Sequence, residues 1–209
     1  MRVLIVDDHE IVRRGLAQIL TENFSDLIIE HARDSREALE RLDESTWDLM
    51  LLDINLPGRS GLDLLQEMKW RFPSVRVVVL SAYPEDDFAL RALKLGAAGY
   101  LTKDSASDEL IAATRKALAG GKYVTAFLAE KLVASLRGEI QSDPHEALSN
   151  REMEVLRLIS AGKTLKEIAA QLALSEKTIA TYRARISAKL GLGTNVELAR
   201  YAFQHGLSS

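Results

Sequence analysis

A chain of 209 residues is long enough for one large or two small domains, and 47% hydrophobic with 27% charged residues is a globular balance that excludes disordered and fibrous architectures. The net charge of −3 is a sum of unlike parts: residues 1–148 carry 18 basic and 25 acidic side chains (−7), residues 149–209 carry 9 and 5 (+4). There is no cysteine, hence no disulfide or cysteine zinc site, and four scattered histidines without a short-spaced pair offer little for a metal cluster, so any metal is expected on oxygen.

Met1-Arg2, followed by Val3–Val6 and two aspartates, lacks the long apolar stretch and small-residue cleavage site of a secretory leader. No apolar run approaches the ~20 residues of a membrane span. The expected location is the cytoplasm, away from membranes.

Along the chain, five short apolar runs at Val3–Val6, Leu27–Ile29, Leu49–Leu52, Val75–Leu80 and Ala98–Leu101 alternate with stretches of helical periodicity. Three of the runs are continuous rather than alternating, as in central parallel strands covered on both faces. The predicted architecture is α/β, a (βα)5 doubly wound parallel sheet over about residues 1–120. Helix starts are predicted at Ser35 before Arg36–Glu44, at Pro84 before Glu85–Leu95, and at Ser105 or Ser107 before Glu109–Ala119. Residues 121–147 read as a linker, helical over 123–137, with the boundary near 139–147 where Pro144 and mixed polar residues gather.

Residues 148–209 are purely helical in pattern. Capping boxes are predicted where Ser149, Thr164 and Thr194 each precede a glutamate by three residues, at Glu152, Glu167 and Glu197. Ser175 is a fourth cap without the reciprocal glutamate, and Gly162 and Gly191 stop the helices before them. The expectation is a small all-α four-helix unit.

Ligands of an open parallel sheet gather beyond the carboxyl ends of its strands. There the first run ends in Asp7-Asp8, the third in Asp53 and the fourth in Ser81, and Lys103 follows the fifth. Like charges about 4 Å apart repel by roughly 4 kcal/mol at an effective dielectric near 20, so three clustered carboxylates call for a cation or a proton. An all-oxygen cluster favours Mg2+. With its charge offset, one carboxylate can attack phosphorus to form an acyl phosphate, and Asp53, the central one, is the candidate. Lys103 then faces a phosphoryl oxygen as a point charge while the Ser81 hydroxyl donates to another. Taken singly, an aspartate at a strand end is most often a cap or a solvated group. The combination of five is what carries the reading.

These motifs, with D-D after the first strand, D-x-x-x-P-G at Asp53, Pro57 and Gly58, S-A after the fourth strand and K after the fifth, resemble the receiver domain of response regulators. The resemblance implies a flavodoxin-like receiver in which Asp53 accepts phosphoryl from a sensor histidine kinase. It further implies Mg2+ on Asp8, Asp53 and the backbone carbonyl of Asn55, with Asp7 completing the acidic pocket. Ser81 and Lys103 contact the phosphoryl group, and Tyr100 is the switch aromatic. Asp104 departs from the family, where proline commonly follows this lysine in a cis peptide, and leaves the isomer of that bond open. His9 receives no role.

Within residues 148–207, E-x-E-V-L, K-E-I-A, L-x-x-S-E-K-T-I and K-L-G occur in order. They resemble the LuxR/NarL-type helix-turn-helix family. The residues themselves have its proportions: a helix at Thr164–Leu172, a turn at Ala173–Ser175 and a basic helix at Glu176–Leu190. At about 100° per residue, Ile179, Ile186 and Leu190, with Tyr182 beside them, form the core side of the second helix. Lys177, Ala180, Thr181, Ala184, Arg185 and Ala188 form the outer side. Arg185 can reach guanine, Thr181 or Ala184 a thymine methyl, and Lys177 and Arg183 phosphates. Thr178 and Lys189 complete the expected DNA-facing set. Ala180 stands where many relatives carry lysine, so base preference is not inherited.

The function implied is that of a phosphorylation-dependent transcriptional regulator rather than an enzyme, binding promoter DNA as a homodimer at least when phosphorylated. A Mg2+-dependent phosphatase is the competing class, but its D-x-D nucleophile motif is absent because Asp53 is followed by Ile54-Asn55. A regulator that keeps receiver geometry without using phosphate is a third.

Overall fold

In the computed structural model, which describes residues 1–82, 85–105, 107–136 and 143–207, apolar segments and helical segments alternate through the first half of the chain. The strands are β1 (Arg2–Val6), β2 (Ile28–Ala32), β3 (Leu49–Asp53), β4 (Arg76–Ser81) and β5 (Gly99–Thr102). Between and after them lie α1 (Glu10–Asn23), α2 (Ser35–Glu44), α3 (Gly61–Arg71), α4 (Glu85–Leu95), α5 (Ser107–Leu118) and α6 (Ala126–Leu136). All strands are parallel, in the order β2-β1-β3-β4-β5. The order reverses between β1 and β3, the switch point at which a parallel sheet opens a crevice.

Side chains alternate across this sheet. Val3, Ile5, Leu49, Leu51, Val78, Leu80 and Leu101 pack with Leu20 of α1 and with Leu110, Ala113 and Ala117 of α5 in one cluster. The residues between them, including Leu4, Met50, Leu52, Val79 and Tyr100, are equally buried, so both faces are covered. The central strands are therefore continuous apolar runs, as predicted.

Two local differences have simple causes. The apolar pattern puts the second strand at Leu27–Ile29, but it runs Ile28–Ala32. It is an edge strand paired only with β1, and it carries Glu30 and His31, with Glu30 ion-paired to Arg2 at 3.0 Å. Polar residues there hide the strand from an apolar search. The cap of α2 is Asp34, whose side chain accepts from the Glu37 amide, and Ser35 is the first helical residue. Pro84, expected to open α4, lies outside the described residues, as do residues 137–142 of the expected linker.

The chain divides into two compact units, Met1–Glu130 and Lys131–Ser209. The second contains a short 3₁₀ turn, Pro144–Ala147, and then α7 (Asn150–Ser160), α8 (Leu165–Gln171), α9 (Glu176–Leu190) and α10 (Asn195–Gln204). Reciprocal capping boxes form at Ser149/Glu152, Thr164/Glu167 and Thr194/Glu197. Ser175 caps α9 by accepting from the Thr178 amide, and Gly191 closes it in the left-handed conformation at φ 68°. Val155, Leu156, Ile159, Ile168, Leu172, Ile179, Ile186, Leu198 and Ala202 are among its buried apolar residues.

Candidate functional site

The crevice at the switch point is built by strand ends. Register places Val6 beside Leu52 and Ser81 beside Thr102, so Asp7, Asp53, Ser81 and Lys103 emerge at one edge of the sheet. Asp7 and Asp53 are each 1% exposed, whereas the Asp8 side chain is 36% exposed at the mouth. The Lys103 ammonium lies 2.7 Å from Asp7 Oδ2 and 2.7 Å from Asp53 Oδ2. On the other oxygen of Asp53, the Asn55 amide donates at 3.1 Å. Ser81 is fully buried at the end of β4, and its carbonyl accepts from the Lys103 amide at 2.7 Å. Tyr100, in β5, is 1% exposed.

The electrostatics follow from burial. Desolvation pushes the Asp53 carboxyl above the ordinary carboxylate range and Asp7 adds to the push, against Lys103 and the Asn55 amide, which offset it only in part. For Lys103, burial works to lower the ammonium, but the carboxylates of Asp53 and Asp7 outweigh it and hold it above the usual lysine value. The pocket is thus short of positive charge. Asp7, Asp8 and Asp53 offer carboxylate oxygens and His9 a ring nitrogen, all within 4.8 Å of one another, and the three carboxylates fit a hard divalent cation.

Three residues to which the sequence assigns no role also shape this pocket. His9 donates its amide to Asp7 Oδ1 at 2.8 Å and sets its ring Nδ1 2.7 Å from Asp8 Oδ1. Arg13 donates to the Asp7 carbonyl at 2.6 Å. Gly61 matters through what it lacks: a Cβ there would stand 2.0 Å from the Asp53 carbonyl oxygen. The Gly61 amide donates to the Ile54 carbonyl at 2.8 Å, drawing the start of α3 against the end of β3. A glycine following serine in a loop carries no such signal in sequence. The peptide after Lys103 is trans, and there is no cis bond among the described residues.

In the second unit, α8 and α9 meet through the four residues 172–175, of which Ala173 takes φ 51°. Ile179 and Ile186 of α9 are buried, while Lys177, Ala180, Thr181, Ala184, Arg185 and Ala188 are at least partly exposed. Thr181 donates its hydroxyl to the Lys177 carbonyl at 2.9 Å, which leaves its methyl and the acceptor side of its oxygen to meet a ligand. Thr178 engages Ser175 at the cap, Oγ1 to Oγ at 2.8 Å.

Two members of the expected DNA-facing set are put to internal use. The Arg183 guanidinium donates to Asn195 Oδ1 at 2.9 Å and to the Gly193 carbonyl at 2.7 Å, tying α9 to the start of α10. Lys189 donates to Glu152 Oε2 at 2.6 Å and to the Ala147 carbonyl at 3.0 Å. Glu152 is held below the usual carboxylate range although burial alone would raise it, because Lys189 and the Ser149 amide and hydroxyl favour its charged form.

Comparison with known proteins agrees with both halves. Residues 3–115 match the response regulator receiver domain, and residues 146–202 match the bacterial regulatory proteins of the luxR family. Response regulator GacA of Pseudomonas viridiflava is 35% identical over 208 residues, covering 99% of this chain and 97% of that protein. Response regulator UvrY of Escherichia coli is 32% identical over 208 residues, covering 99% and 95%. Among solved structures, RcsB of Salmonella typhimurium superposes with a TM-score of 0.69 at 28% identity over 98% of each chain. RcsB of Salmonella enterica bound to promoter rprA in the presence of phosphomimetic BeF3- superposes with a TM-score of 0.64 at 29% identity, covering 96% of this chain and 98% of that one. This chain belongs to the two-component response regulators, with a receiver domain followed by a LuxR-type DNA-binding domain.

Proposed function

We propose that Asp53 is the phosphoacceptor of this regulator and that its phosphorylation by a sensor histidine kinase controls dimerisation and promoter binding. One observation carries the reading: Asp53 lies buried between Asp7 and Lys103 at the switch point, with Ser81 on the neighbouring strand end. Asp8, Asp53 and the carbonyl of Asn55 would hold Mg2+, with Asp7 behind them. When bound, the ion neutralises carboxylate and phosphoryl oxygens.

The chain's own groups do the rest. The Asn55 amide fixes one oxygen of Asp53, and Lys103 balances the other. As the nitrogen–phosphorus bond of a phosphohistidine breaks, an Asp53 oxygen forms the new bond to phosphorus. That converts the carboxylate into an acyl phosphate, freeing Lys103 to face phosphoryl oxygen, while Ser81 donates to another. Ser81 and Lys103 share a backbone hydrogen bond, so a shift of one draws the other, and Tyr100 pairs with Val79, two positions before the Ser81–Thr102 pair on the same two strands.

Residues 121–147 act as the connector and 148–209 as the DNA-binding domain. Lys177, Thr181, Ala184 and Arg185 are the residues of α9 proposed to face DNA. Arg183 and Lys189, already hydrogen-bonded within the unit, position α9 instead. Two copies would read half-sites about one helical turn apart.

The test is acetyl phosphate with Mg2+ on the full chain. Wild type should gain a hydroxylamine-sensitive phosphate, dimerise by sedimentation and bind promoter DNA more tightly, and Asp53→Asn should do none of these. Equal phosphate incorporation by the variant would overturn the assignment.

A further inference from the structure

A second group of metal-ligating side chains lies in the DNA-binding unit, far along the chain from the acidic pocket. Asp143 precedes the 3₁₀ turn, His145 lies within it, and His205 is the cap residue at the end of α10. Asp143 presents Oδ1 to His205 Nδ1 at 3.3 Å and Oδ2 to His145 Nε2 at 4.0 Å. One ligand atom from each of the three lies within 4.8 Å of the others. With metal bonds of about 2.0–2.1 Å, neighbouring ligands of a tetrahedral zinc stand roughly 3.4 Å apart. One Asp143 oxygen already stands at about this distance from His205 Nδ1, while the 4.0 Å from its other oxygen to His145 Nε2 is longer by more than half an ångström, so the carboxylate must turn and the imidazole draw in for the three to share an ion.

The surroundings orient both rings. Tyr201, on α10, sets its hydroxyl 3.2 Å from His145 Nδ1; in the tautomer that carries its proton on Nδ1, the phenol oxygen accepts it and Nε2, on the side of Asp143, is the ligating nitrogen. That is the outer hydrogen bond by which a ligating imidazole is held in the right tautomer. The same Tyr201 ring stacks on His205 with centroids 4.2 Å apart, and the two imidazoles meet edge to face at 5.5 Å. The His145 side chain is 14% exposed and that of His205 29%, which leaves an open side for a water as fourth ligand. Two imidazoles and one carboxylate suit a borderline first-row divalent cation rather than Mg2+.

We propose that Asp143, His145 and His205 form a transition-metal site of the zinc class, with Tyr201 as its positioning residue. The ion would join the 3₁₀ turn at the end of the connector to the end of α10, the last helix of the DNA-binding domain. At free Zn2+ concentration c, such a staple stabilises the unit by RT ln(1 + c/Kd), rising with the logarithm of free metal once the site is filled.

Full-length protein is titrated with Zn2+ in the presence of excess Mg2+, so that the oxygen pocket is competed. The expected result is one Zn2+ per chain, a rise in the melting temperature of the C-terminal unit, and nitrogen-15 shifts of the His145 and His205 imidazoles. His145→Gln, His205→Gln and Asp143→Asn should each weaken binding at least tenfold, and Tyr201→Phe by about tenfold. Wild type without Zn2+-dependent imidazole shifts would overturn the proposal, since it would leave only a hydrogen-bonded side-chain cluster. Undiminished affinity in a folded His145→Gln/His205→Gln double variant would overturn it equally.

Discussion

Asp53 and Gly61 define the pocket at the scale of single residues. A carboxyl whose folded-state pKa is raised holds its proton over a pH range in which the unfolded chain has lost it, so stability falls as pH rises through that range. For Asp53 the range begins at the ordinary carboxylate value and ends at the raised one. In EDTA, urea unfolding of the wild-type receiver should therefore show this decline with pH, and Asp53→Asn should remove it. Saturating Mg2+ should restore the wild type, by about 2.7 kcal/mol at a hundredfold excess over Kd, and leave the variant unmoved. An Asp53→Asn curve parallel to the wild type would show that another group titrates. At Gly61 the obstacle is backbone, with the Asp53 carbonyl oxygen 2.0 Å from an added Cβ. Gly61→Ala should cost about 3 kcal/mol as an overpacking change and also slow phosphorylation, because relief requires β3 and α3 to part. The first effect is read from urea midpoints, the second from acetyl phosphate incorporation.

At the scale of elements, legibility depends on whether the cause is local. The three capping boxes each need only a hydroxyl and a glutamate three residues apart, and all three form at the predicted positions. The central strands, covered on both faces, are legible as apolar runs, whereas the edge strand β2 is blurred by Glu30 and His31. Residues from distant segments are legible where a topological rule places them, as at the strand ends that gather Asp7, Asp53 and Lys103, and not where no such rule applies. Arg183 and Lys189 look in sequence like free cations on a basic helix, but they lie beside Gly193, Asn195, Ala147 and Glu152 in space. His145 and His205 look scattered for the same reason. The turn between α8 and α9 shows the converse, a residue that local preference opposes. Ala173 sits at φ 51°, a conformation costing a non-glycine residue about 1–2 kcal/mol. Ala173→Gly should stabilise the unit by up to about 1 kcal/mol, the extra freedom of unfolded glycine offsetting part of the relief. A lower melting temperature in that variant would mean that the packing of the alanine methyl outweighs its strain.

For the whole molecule the division of charge matters more than its sum. Residues 1–148 carry −7 and residues 149–209 carry +4, so a polyanion meets opposite potentials on the two parts of one chain. Promoter affinity should fall with salt, and removing one side chain that neutralises a phosphate should reduce the slope of log affinity against log salt by about 1. Lys177→Ala is expected to show that reduction equally on all sequences, and Arg185→Ala to relax preference at one base position as well. Slopes equal to wild type in both variants would take α9 out of the interface.

The capping boxes have one more consequence, in the order of folding. Each settles a helix start through residues three apart, so the helices of the C-terminal unit can begin from local contacts joined by short turns, while the docking of α10 on α7 closes a long loop. The sheet is the opposite case, because β1 must find β3, with Val3 beside Leu49, before the strand order can form. Chains rich in local pairings fold orders of magnitude faster than those that close long loops first. On dilution from denaturant the DNA-binding unit should therefore regain its helices in an early phase, and the acidic pocket, which needs four strand ends in place, should be the last feature to appear.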